Sequence, residues 1–432
     1  MANGTCADPD VRIEEVEIRP YRLPLRQPWL SARGKREERQ GWLIGLRAGG
    51  WRGFGDCAPL PEAGTENEDR AWTALRDWRG AVLGQPLGAL LQGCSEDGWS
   101  ASDAPAARYS LECALLDLAA RQAGLPLRRW LNPQAADAVA VNAALGALGD
   151  QTPTQVAACC QTGFQVLKLK VGLEAPVVEI RRLEALVPAL GPGASFRLDA
   201  NGAWDLDQAA AMVERLNRLP IESLEEPLRE PSAPRLAELQ ARARFAIALD
   251  ESLHPARAAQ IPADLAPTHA RNADVPCGDS LSQQVASPAT TTYQEYLASP
   301  ESCHLPRMKV SGDALDGGAL SADALNATVL LEDGRFAVRR LVLKPAVVGG
   351  LWRTLTLAKH AARIGVEVVL TSLIESAAGL WPSLQLAAAI GSPLAQGLAT
   401  SSWLLQDLGC PPRPRRGHIW LGPDPGSGFH PW

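Results

Sequence analysis

A strand-plus-helix unit that repeats along most of the chain is the feature that most constrains its fold. From residue 139 onward, short apolar runs rich in β-branched residues alternate with stretches of helical spacing, and a polar residue ends each run. Four successive runs end at Lys170, Asp199, Glu225 and Asp250, at intervals of 29, 26 and 25 residues. Such units predict a parallel sheet whose strands all end at the same edge.

The number of runs predicts a barrel. With 139–142 as the first strand and 397–401 as the last, the count reaches eight, and eight such units form a (β/α)8-type barrel with its chemistry at the carboxyl ends of the strands. The interval from Asp250 to Lys344 is 94 residues, far more than one unit needs. We therefore predict a long insertion at about 261–335, between barrel strands 5 and 6 and outside the barrel, because structureless stretches of that length are rare inside a compact fold.

The predicted fold class is thus α/β, a (β/α)8-type barrel with an α+β amino-terminal capping domain. We assign residues 1–135 to the cap, residues 136–405 to the barrel with its insertion, and residues 406–432 to a carboxy-terminal segment that packs back on the cap. In the cap, the charged segment 31–39 predicts a loop, and the spacing of apolar residues over 107–123 predicts an amphipathic helix.

Composition argues against several classes of partner and location. With 42 basic and 48 acidic residues, the net charge of −6 leaves no basic excess with which to bind nucleic acid. No run approaches the 18 or so apolar residues that predict a membrane span, and the first twelve residues carry no secretory-signal pattern. Nine cysteines at irregular spacing predict reduced thiols and a cytoplasmic protein. The sequence predicts no oligomeric state.

Two lysines of the second predicted strand, Lys168 and Lys170, are two residues apart and so face the same side of it. Lysines that point into a barrel are unfavourable unless they face water or a bound ligand at the open end of the barrel. Because neighbouring ammonium groups disfavour each other's charged form, the pair is expected to lower the pKa of a lysine toward that of a usable base. The alternative is a pair of solvent-facing lysines on an edge strand.

Three carboxylates, Asp199, Glu225 and Asp250, end the next three strands at the same place in each unit. They would repel each other without a hard cation, and all-oxygen ligation favours Mg²⁺, with Mn²⁺ as the alternative ion. Strand 6 ends in Lys344, and strands 2 and 6 lie opposite each other in an eight-stranded barrel. A small-molecule carboxylate on the metal would then lie between Lys170 and Lys344, which predicts removal of a proton α to that carboxylate.

Several segments of the chain follow one known pattern. These segments, written with their sequences, are 168–172 (KLKVG), 197–201 (RLDAN), 224–228 (LEEPL), 248–253 (ALDESL), 343–350 (LKPAVVGG), 371–376 (TSLIES), 21–25 (YRLPL) and 59–66 (PLPEAGTE). Together they resemble the enolase superfamily, in its subgroup with a Lys-x-Lys strand, and within it the o-succinylbenzoate synthase family. The resemblance covers nearly the whole chain apart from the insertion.

The resemblance implies roles for the residues at the strand ends, and a lysine base with Mg²⁺ is known chemistry for that superfamily. It implies that Lys170 is the base, that Lys344 is the cation opposite it, and that Lys168 tunes Lys170. The implied metal ligands are Asp199, Glu225 and Asp250, and the implied substrate contacts are Arg197, Asn201, Ser372 and Gly397. Glu226 is the alternative to Glu225 as a ligand. Two features depart from the family: the insertion, and Leu373, where a small polar residue is common.

Three functional hypotheses remain open from the sequence. The first is a lyase of menaquinone or phylloquinone biosynthesis that converts 2-succinyl-6-hydroxy-2,4-cyclohexadiene-1-carboxylate to 2-succinylbenzoate by loss of water. The second is an N-acylamino acid racemase or a dipeptide epimerase. Dipeptide epimerases of this kind usually carry Asp-x-Asp near strand 8, whereas residues 397–403 contain no acid. The third is a catalytically inactive barrel that binds partners through its insertion, but an inactive barrel has no physical reason to keep buried like charges.

Overall fold

The computed structural model describes residues 10–31, 34–95, 104–149, 151–253 and 336–432. The predicted insertion at about 261–335 lies outside the described residues, as do residues 254–260 before it. Its predicted position outside the barrel therefore stays a prediction.

The amino-terminal cap combines one antiparallel sheet with four helices. Its elements are β1 (Glu15–Ser31), β2 (Gly34–Ala48), β3 (Trp51–Cys57), α1 (Glu68–Val82), α2 (Leu87–Ser95), α3 (Pro105–Gln122) and α4 (Leu127–Leu131). The prediction of a loop over 31–39 was wrong, because β1 and β2 pair as a long hairpin that includes most of that segment. Backbone pairing within the hairpin leaves charged side chains such as Arg22 and Glu38, 3.2 Å apart, at the surface.

Helix α3 is the centre of the cap. It was predicted to be amphipathic, which was wrong, since every residue from 106 to 120 is buried. The sheet covers one side of the helix closely because β3 presents glycines there: a Cβ on Gly55 would lie 1.9 Å from the Ser110 carbonyl oxygen, and one on Gly53 2.2 Å from that of Ala114. Other sides of the helix face the barrel, where the Tyr109 hydroxyl donates to the Gly379 carbonyl at 2.7 Å.

The second part of the chain is the barrel. Its strands are β5 (Ala143–Ala147), β6 (Val166–Lys170), β7 (Ser195–Asp199), β8 (Ile221–Glu225), β9 (Ala246–Leu249), β10 (Arg340–Leu343) and β11 (Glu367–Leu370), preceded by β4 (Ala138–Ala140) and followed by β12 (His418–Trp420). Its helices are α5 (Pro153–Gln161), α6 (Pro176–Leu186), α7 (Leu206–Leu216), α8 (Ala233–Arg242), α9 (Pro345–Val348), α10 (Leu351–Arg363) and α11 (Ala377–Ile390). Strands β5 to β11 pair in parallel in chain order, so the predicted α/β barrel is confirmed.

Closure of the barrel differs from the prediction at two strands. The first barrel strand is β5 and not 139–142, because β4 pairs in antiparallel register with β12. The eighth position is held by single bridges, Val141 to Gln396 and Thr371 to Gly397, where a full strand over 397–401 was predicted. The Gly397 amide donates to the Leu370 carbonyl at 2.7 Å, which ties this segment to β11.

The carboxy-terminal residues pack on the cap. Asp117 of α3 accepts hydrogen bonds from the amides of Phe54 and Ser427, and Arg121 donates to the Phe429 carbonyl at 2.7 Å. The rings of Phe54 and Phe429 meet edge to face with centroids 5.5 Å apart. Among the described helices, none has both the length and the apolar character to cross a membrane.

Candidate active site

The predicted site residues meet at the carboxyl ends of the barrel strands. Lys170, Asp199 and Glu225 are direct partners in the register of β6, β7 and β8. Asp250 and Lys344 each directly follow their strands, β9 and β10. The side-chain layer at the barrel mouth therefore has carboxylates on three adjacent strands with lysines on either side of them.

Lys168 is held between two of the carboxylates. Its ammonium nitrogen lies 2.9 Å from Asp199 Oδ2 and 2.8 Å from Glu225 Oε1. Burial lowers the pKa of Lys168, but the carboxylates of Asp199, Glu225 and Asp250 outweigh it and raise that pKa above its ordinary value. The expectation of a lowered pKa is therefore wrong for Lys168, because carboxylates are its nearest charged neighbours.

Lys344 and Asp250 form a second buried pair. The Lys344 ammonium donates to Asp250 Oδ2, and both side chains are at least nine-tenths buried. Burial and Glu251 raise the pKa of Asp250 to about 7, although Lys344 opposes them. Burial lowers the pKa of Lys344, but the carboxylates of Asp250 and Glu251 raise it further, so the net direction is up.

The carboxylates crowd one another. Burial and the negative charge of Asp199 raise the pKa of Glu225 to about 8, although Lys168 opposes them. Burial also raises the pKa of Asp199, but the ammonium groups of Lys168 and Lys170 lower it, and the net direction is down. The negative charge of Asp199 thus disfavours the charged form of Glu225.

The donor set fits a hard divalent cation. Within the described ranges, no three His, Cys, Asp or Glu side chains are close enough together to hold a metal ion as they stand. At the mouth, the carboxylates instead contact the ammonium groups of Lys168 and Lys344. The donors at the mouth are nevertheless carboxylate oxygens, which Mg²⁺ and Mn²⁺ prefer, and the buried Asp250 Oδ1 has no hydrogen-bond partner. A cation held by Asp199, Glu225 and Asp250 would favour the charged forms of Glu225 and Asp250, whose pKa values burial raises.

The structure favours Glu225 over Glu226 at the centre of the site. The Glu225 carboxylate contacts Lys168, whereas Glu226 is fully buried and bonded elsewhere. Glu226 Oε1 accepts from the amides of Asp250 and Ser252 at 2.7 and 2.9 Å, and Oε2 accepts from the Ser252 hydroxyl. Burial and Glu251 raise the pKa of Glu226 to about 7.

Three of the predicted substrate contacts lie in the loops around the mouth. Asn201 is exposed, adopts φ = 45°, and donates from its side chain to Glu251 Oε1 at 3.3 Å. The Ser372 hydroxyl lies 2.6 Å from that of Thr400. A Cβ on Gly397 would lie 2.6 Å from Thr371 Oγ1, so only glycine fits against that side chain. Their contacts with substrate stay predictions.

Arg197 lies deeper in the barrel, two residues before Asp199. Its guanidinium donates to both carboxylate oxygens of Glu222, at 3.0 and 3.1 Å, and to the Asn142 side chain at 3.3 Å. Glu222 also pairs with Arg340 at 2.6 Å. This network favours a structural role for Arg197, and its predicted contact with substrate stays a prediction.

Glu222→Gln is expected to lower the free energy of unfolding by about 3–5 kcal/mol, because it leaves the buried Arg197 without its counter-ion and leaves the buried Arg340 with only the more exposed Glu367. Burial raises the pKa of Glu222, but Arg197 and Arg340 lower it to about 2. Since the folded pKa lies below the ordinary value of 4.5, the contribution of Glu222 is complete above pH 4.5 and is lost as the pH falls toward 2.

Urea unfolding of the wild type and the variant at several pH values measures this difference, which should shrink below about pH 4.5. The matched control is Glu238→Gln, whose exposed pair with Arg242 should change stability by less than about 1 kcal/mol. A Glu222→Gln variant as stable as the wild type at neutral pH would contradict the proposed network.

Sequence reasoning missed several residues that shape the site. Glu251, Thr400 and Asn142 contact predicted site residues and lie in segments that the sequence analysis used, but the sequence indicated no role for any of them. Asp56 of the cap accepts from the Ser376 amide and hydroxyl, at 2.8 and 2.7 Å, next to the loop that follows β11. The polar residue at the end of each strand could be recognised in the sequence as a site residue. A contact between residues more than 300 positions apart, such as that of Asp56 with Ser376, could not.

Comparison with known protein families matches both parts of the chain. Residues 13–118 match the family described as MenC, N-terminal domain. Residues 151–265 match the family described as Enolase C-terminal domain-like. The two matches fall on the cap and on the barrel strands that carry Lys168, Lys170 and the three carboxylates, whereas Lys344 lies outside both matches.

Two characterised relatives and one solved structure are similar to the chain. A hydrophobic dipeptide epimerase from Roseobacter litoralis is 32% identical over 55% of this chain and 69% of the relative. An o-succinylbenzoate synthase from Thermosynechococcus vestitus is 31% identical over 54% of this chain and 67% of the relative. The crystal structure of a dipeptide epimerase from Methylococcus capsulatus, complexed with Mg and the dipeptide L-Arg-D-Lys, is 24% identical with a TM-score of 0.67 and covers 96% of this chain and 99% of its own.

All three comparisons indicate the same superfamily: the matched families, the similar relatives and the similar solved structure. Relatives with different names, a synthase and an epimerase, match the chain about equally well. They indicate an enzyme and leave its reaction open between lyase and epimerase. The chain belongs to the enolase superfamily.

Proposed function

We propose that this protein is a divalent-metal-dependent lyase that converts 2-succinyl-6-hydroxy-2,4-cyclohexadiene-1-carboxylate to 2-succinylbenzoate, as in menaquinone or phylloquinone biosynthesis, in the cytoplasm. The observation that carries the proposal is the segment 397–403, which lines the mouth beside Ser372 and contains no acid. A dipeptide substrate brings an ammonium group that needs a carboxylate partner, whereas this substrate brings only carboxylates, a ketone and a hydroxyl. The match of the cap to the MenC N-terminal domain supports the same choice.

Lys170 is the base in the proposed reaction. It ends β6 at the mouth, in direct register with Asp199. The neutral Lys170 amine takes the proton from the carbon that carries the carboxylate, and the electron pair of that C–H bond forms the new double bond to the neighbouring carbon. The C–O bond to the hydroxyl on that neighbour breaks, and the hydroxyl leaves as water with the proton that Lys170 has taken up, which returns Lys170 to its neutral form. The ring becomes aromatic, which drives the elimination.

The remaining site groups balance charge. Lys344, on the strand opposite Lys170, holds positive charge on the other side of the substrate. A Mg²⁺ or Mn²⁺ ion bound by Asp199, Glu225 and Asp250 would supply Lewis-acid stabilisation of the negative charge that builds up on the substrate carboxylate. Lys168 bridges Asp199 and Glu225 and keeps both carboxylates turned toward the mouth.

The test compares two substrates with one purified full-length protein in the presence of Mg²⁺. Loss of the cyclohexadiene absorbance measures synthase activity, and deuterium uptake at the α-carbon of L,L-dipeptides in D₂O measures epimerase activity. We expect rapid loss of the cyclohexadiene and little deuterium uptake. Deuterium uptake without synthase activity would overturn the proposal in favour of an epimerase, and inactivity in both assays would favour a non-catalytic barrel.

The epimerase alternative has one specific observation in its favour. The Roseobacter litoralis relative is named a hydrophobic dipeptide epimerase and is as similar to the chain as the synthase is. A lysine on each face of the substrate suits racemisation as well as elimination, because one lysine removes the proton and the other returns it. Hydrophobic dipeptides are therefore the first alternative substrates to assay.

A further inference from the structure

The second glutamate of the Glu225–Glu226 pair has an unusual backbone and an unusual set of partners. Glu226 adopts φ = 46°, in the left-handed region that side chains other than glycine rarely occupy. Such strain persists only where the surroundings hold it in place. The Glu226 side chain is fully buried at the carboxyl end of β8.

The backbone of Glu226, directly after β8, connects the loop after β7 with strand β9. Its amide donates to the Ala248 carbonyl of β9 at 3.0 Å, and its carbonyl accepts from the Gly202 amide at 2.7 Å. Gly202 belongs to the loop that follows Asp199, and the Asn201 amide in that loop donates to Asp199 Oδ1 at 3.1 Å. One residue thus joins the loop after β7 to strand β9.

The side chain of Glu226 holds the loop after β9. Its two carboxylate oxygens accept from the Asp250 amide at 2.7 Å, the Ser252 amide at 2.9 Å and the Ser252 hydroxyl. The turn that carries the Asp250 carboxylate is therefore bound at both ends by one side chain. Glu225 contacts Lys168 at the mouth, whereas Glu226 contacts the loop after β9, so one residue faces the mouth and the next faces the loop.

We infer that Glu226 is a positioning residue that holds Asp250 and the neighbouring loops in the geometry needed to bind a divalent cation. This inference rests on the proposed role of Asp199, Glu225 and Asp250 as ligands. Glu226 does not itself bind the cation, because both of its oxygens are engaged by the loop. Partners behind metal ligands typically change metal affinity by about 10- to 100-fold when they are removed.

Isothermal titration of the metal-free, full-length protein with Mn²⁺ tests the inference without an activity assay. Glu226→Gly removes the side chain and relieves the positive-φ strain, so that any loss arises from the lost carboxylate contacts. We expect the Kd for Mn²⁺ to rise about 10- to 100-fold in this variant. Ser252→Ala, which removes one of the three contacts, should raise the Kd by a smaller factor.

The matched control is Glu179→Gln. Glu179 is also buried, and it holds the loop after β6 by accepting from the amides of Gly172 and Leu173, both at 2.9 Å, but that loop carries no proposed ligand. We expect Mn²⁺ affinity to stay at the wild-type value in this variant. An equal loss in Glu179→Gln and Glu226→Gly would overturn the inference, since it would indicate general damage to the barrel.

The remaining outcomes separate the inference from the proposed function. Wild-type protein that binds no Mn²⁺ would overturn both the ligand assignment and the role of Glu226. Wild-type affinity in Glu226→Gly would overturn the role of Glu226 alone. If Glu226→Gly fails to fold, as judged by circular dichroism, the Kd of Ser252→Ala decides, and an unchanged value there overturns the inference.

Discussion

Exhaustive chelation of divalent cations is expected to abolish turnover, and Mg²⁺ or Mn²⁺ is expected to restore it. The physical reason is the crowding of Asp199, Glu225 and Asp250, since burial and neighbouring carboxylates raise the pKa of Glu225 to about 8 and burial with Glu251 raises that of Asp250 to about 7. A divalent cation stabilises their charged forms, whereas in its absence the substrate carboxylate would meet uncompensated negative charge.

Activity assays and metal analysis on the same chelated sample measure this effect. Asp199→Asn should lose Mn²⁺ affinity because it removes one charged ligand, and Asp207→Asn, at an exposed position of α7, is the control that should keep it. Full turnover in protein shown to be free of divalent metal would contradict the assignment of the three carboxylates.

Lys170→Ala is expected to reduce turnover by about 10²–10⁴-fold, the usual contribution of a positioned general acid or base. Mn²⁺ binding should survive in this variant, because Lys170 is not a proposed ligand. The measurement is kcat under saturating Mg²⁺, together with the Kd for Mn²⁺. The control is Lys359→Ala, at an exposed position of α10, which should keep both values.

A comparison with Lys344→Ala separates the roles of the two lysines. Lys344 contacts Asp250, so its removal is expected to disturb Mn²⁺ binding as well as turnover. If Lys170→Ala kept near wild-type turnover while Lys344→Ala did not, the proposed base and its opposing cation would have to be exchanged.

The arrangement of the site could be predicted because it follows from local repetition. In parallel strand-plus-helix units, the residue that ends each strand lies at the same edge of the sheet, so Lys170, Asp199 and Glu225 were expected to meet, and they are register partners. Arg197 shares the inward face of β7 but lies one step deeper, against Glu222. The alternation of side chains along a strand predicts which face of the sheet a residue lies on. It does not predict which charged residue of a neighbouring strand lies at the same level, so it could not indicate that Arg197 pairs with Glu222.

Other features depended on contacts between distant segments. The pairing of β4 with β12 joins residues about 280 positions apart, so the sequence around 139–142 could not indicate that it lies outside the barrel sheet. The burial of α3 on all sides likewise depends on its partners, since its polar residues Glu112 and Asp117 accept hydrogen bonds from the amides of Trp352, Phe54 and Ser427.

The sequence by itself determined the parallel barrel, its cap and the layer of lysines and carboxylates at the mouth, because strand period and residue type act through neighbours close in the chain. Only the tertiary structure decided how the two adjacent glutamates are held. Glu225 contacts Lys168 at the mouth, whereas Glu226, with its positive φ, accepts hydrogen bonds from the amides of Asp250 and Ser252. The repeat spacing indicated Glu225 as the residue that ends its strand, but it could not indicate the partners of Glu226, because these lie in a loop 24 and 26 residues further along the chain.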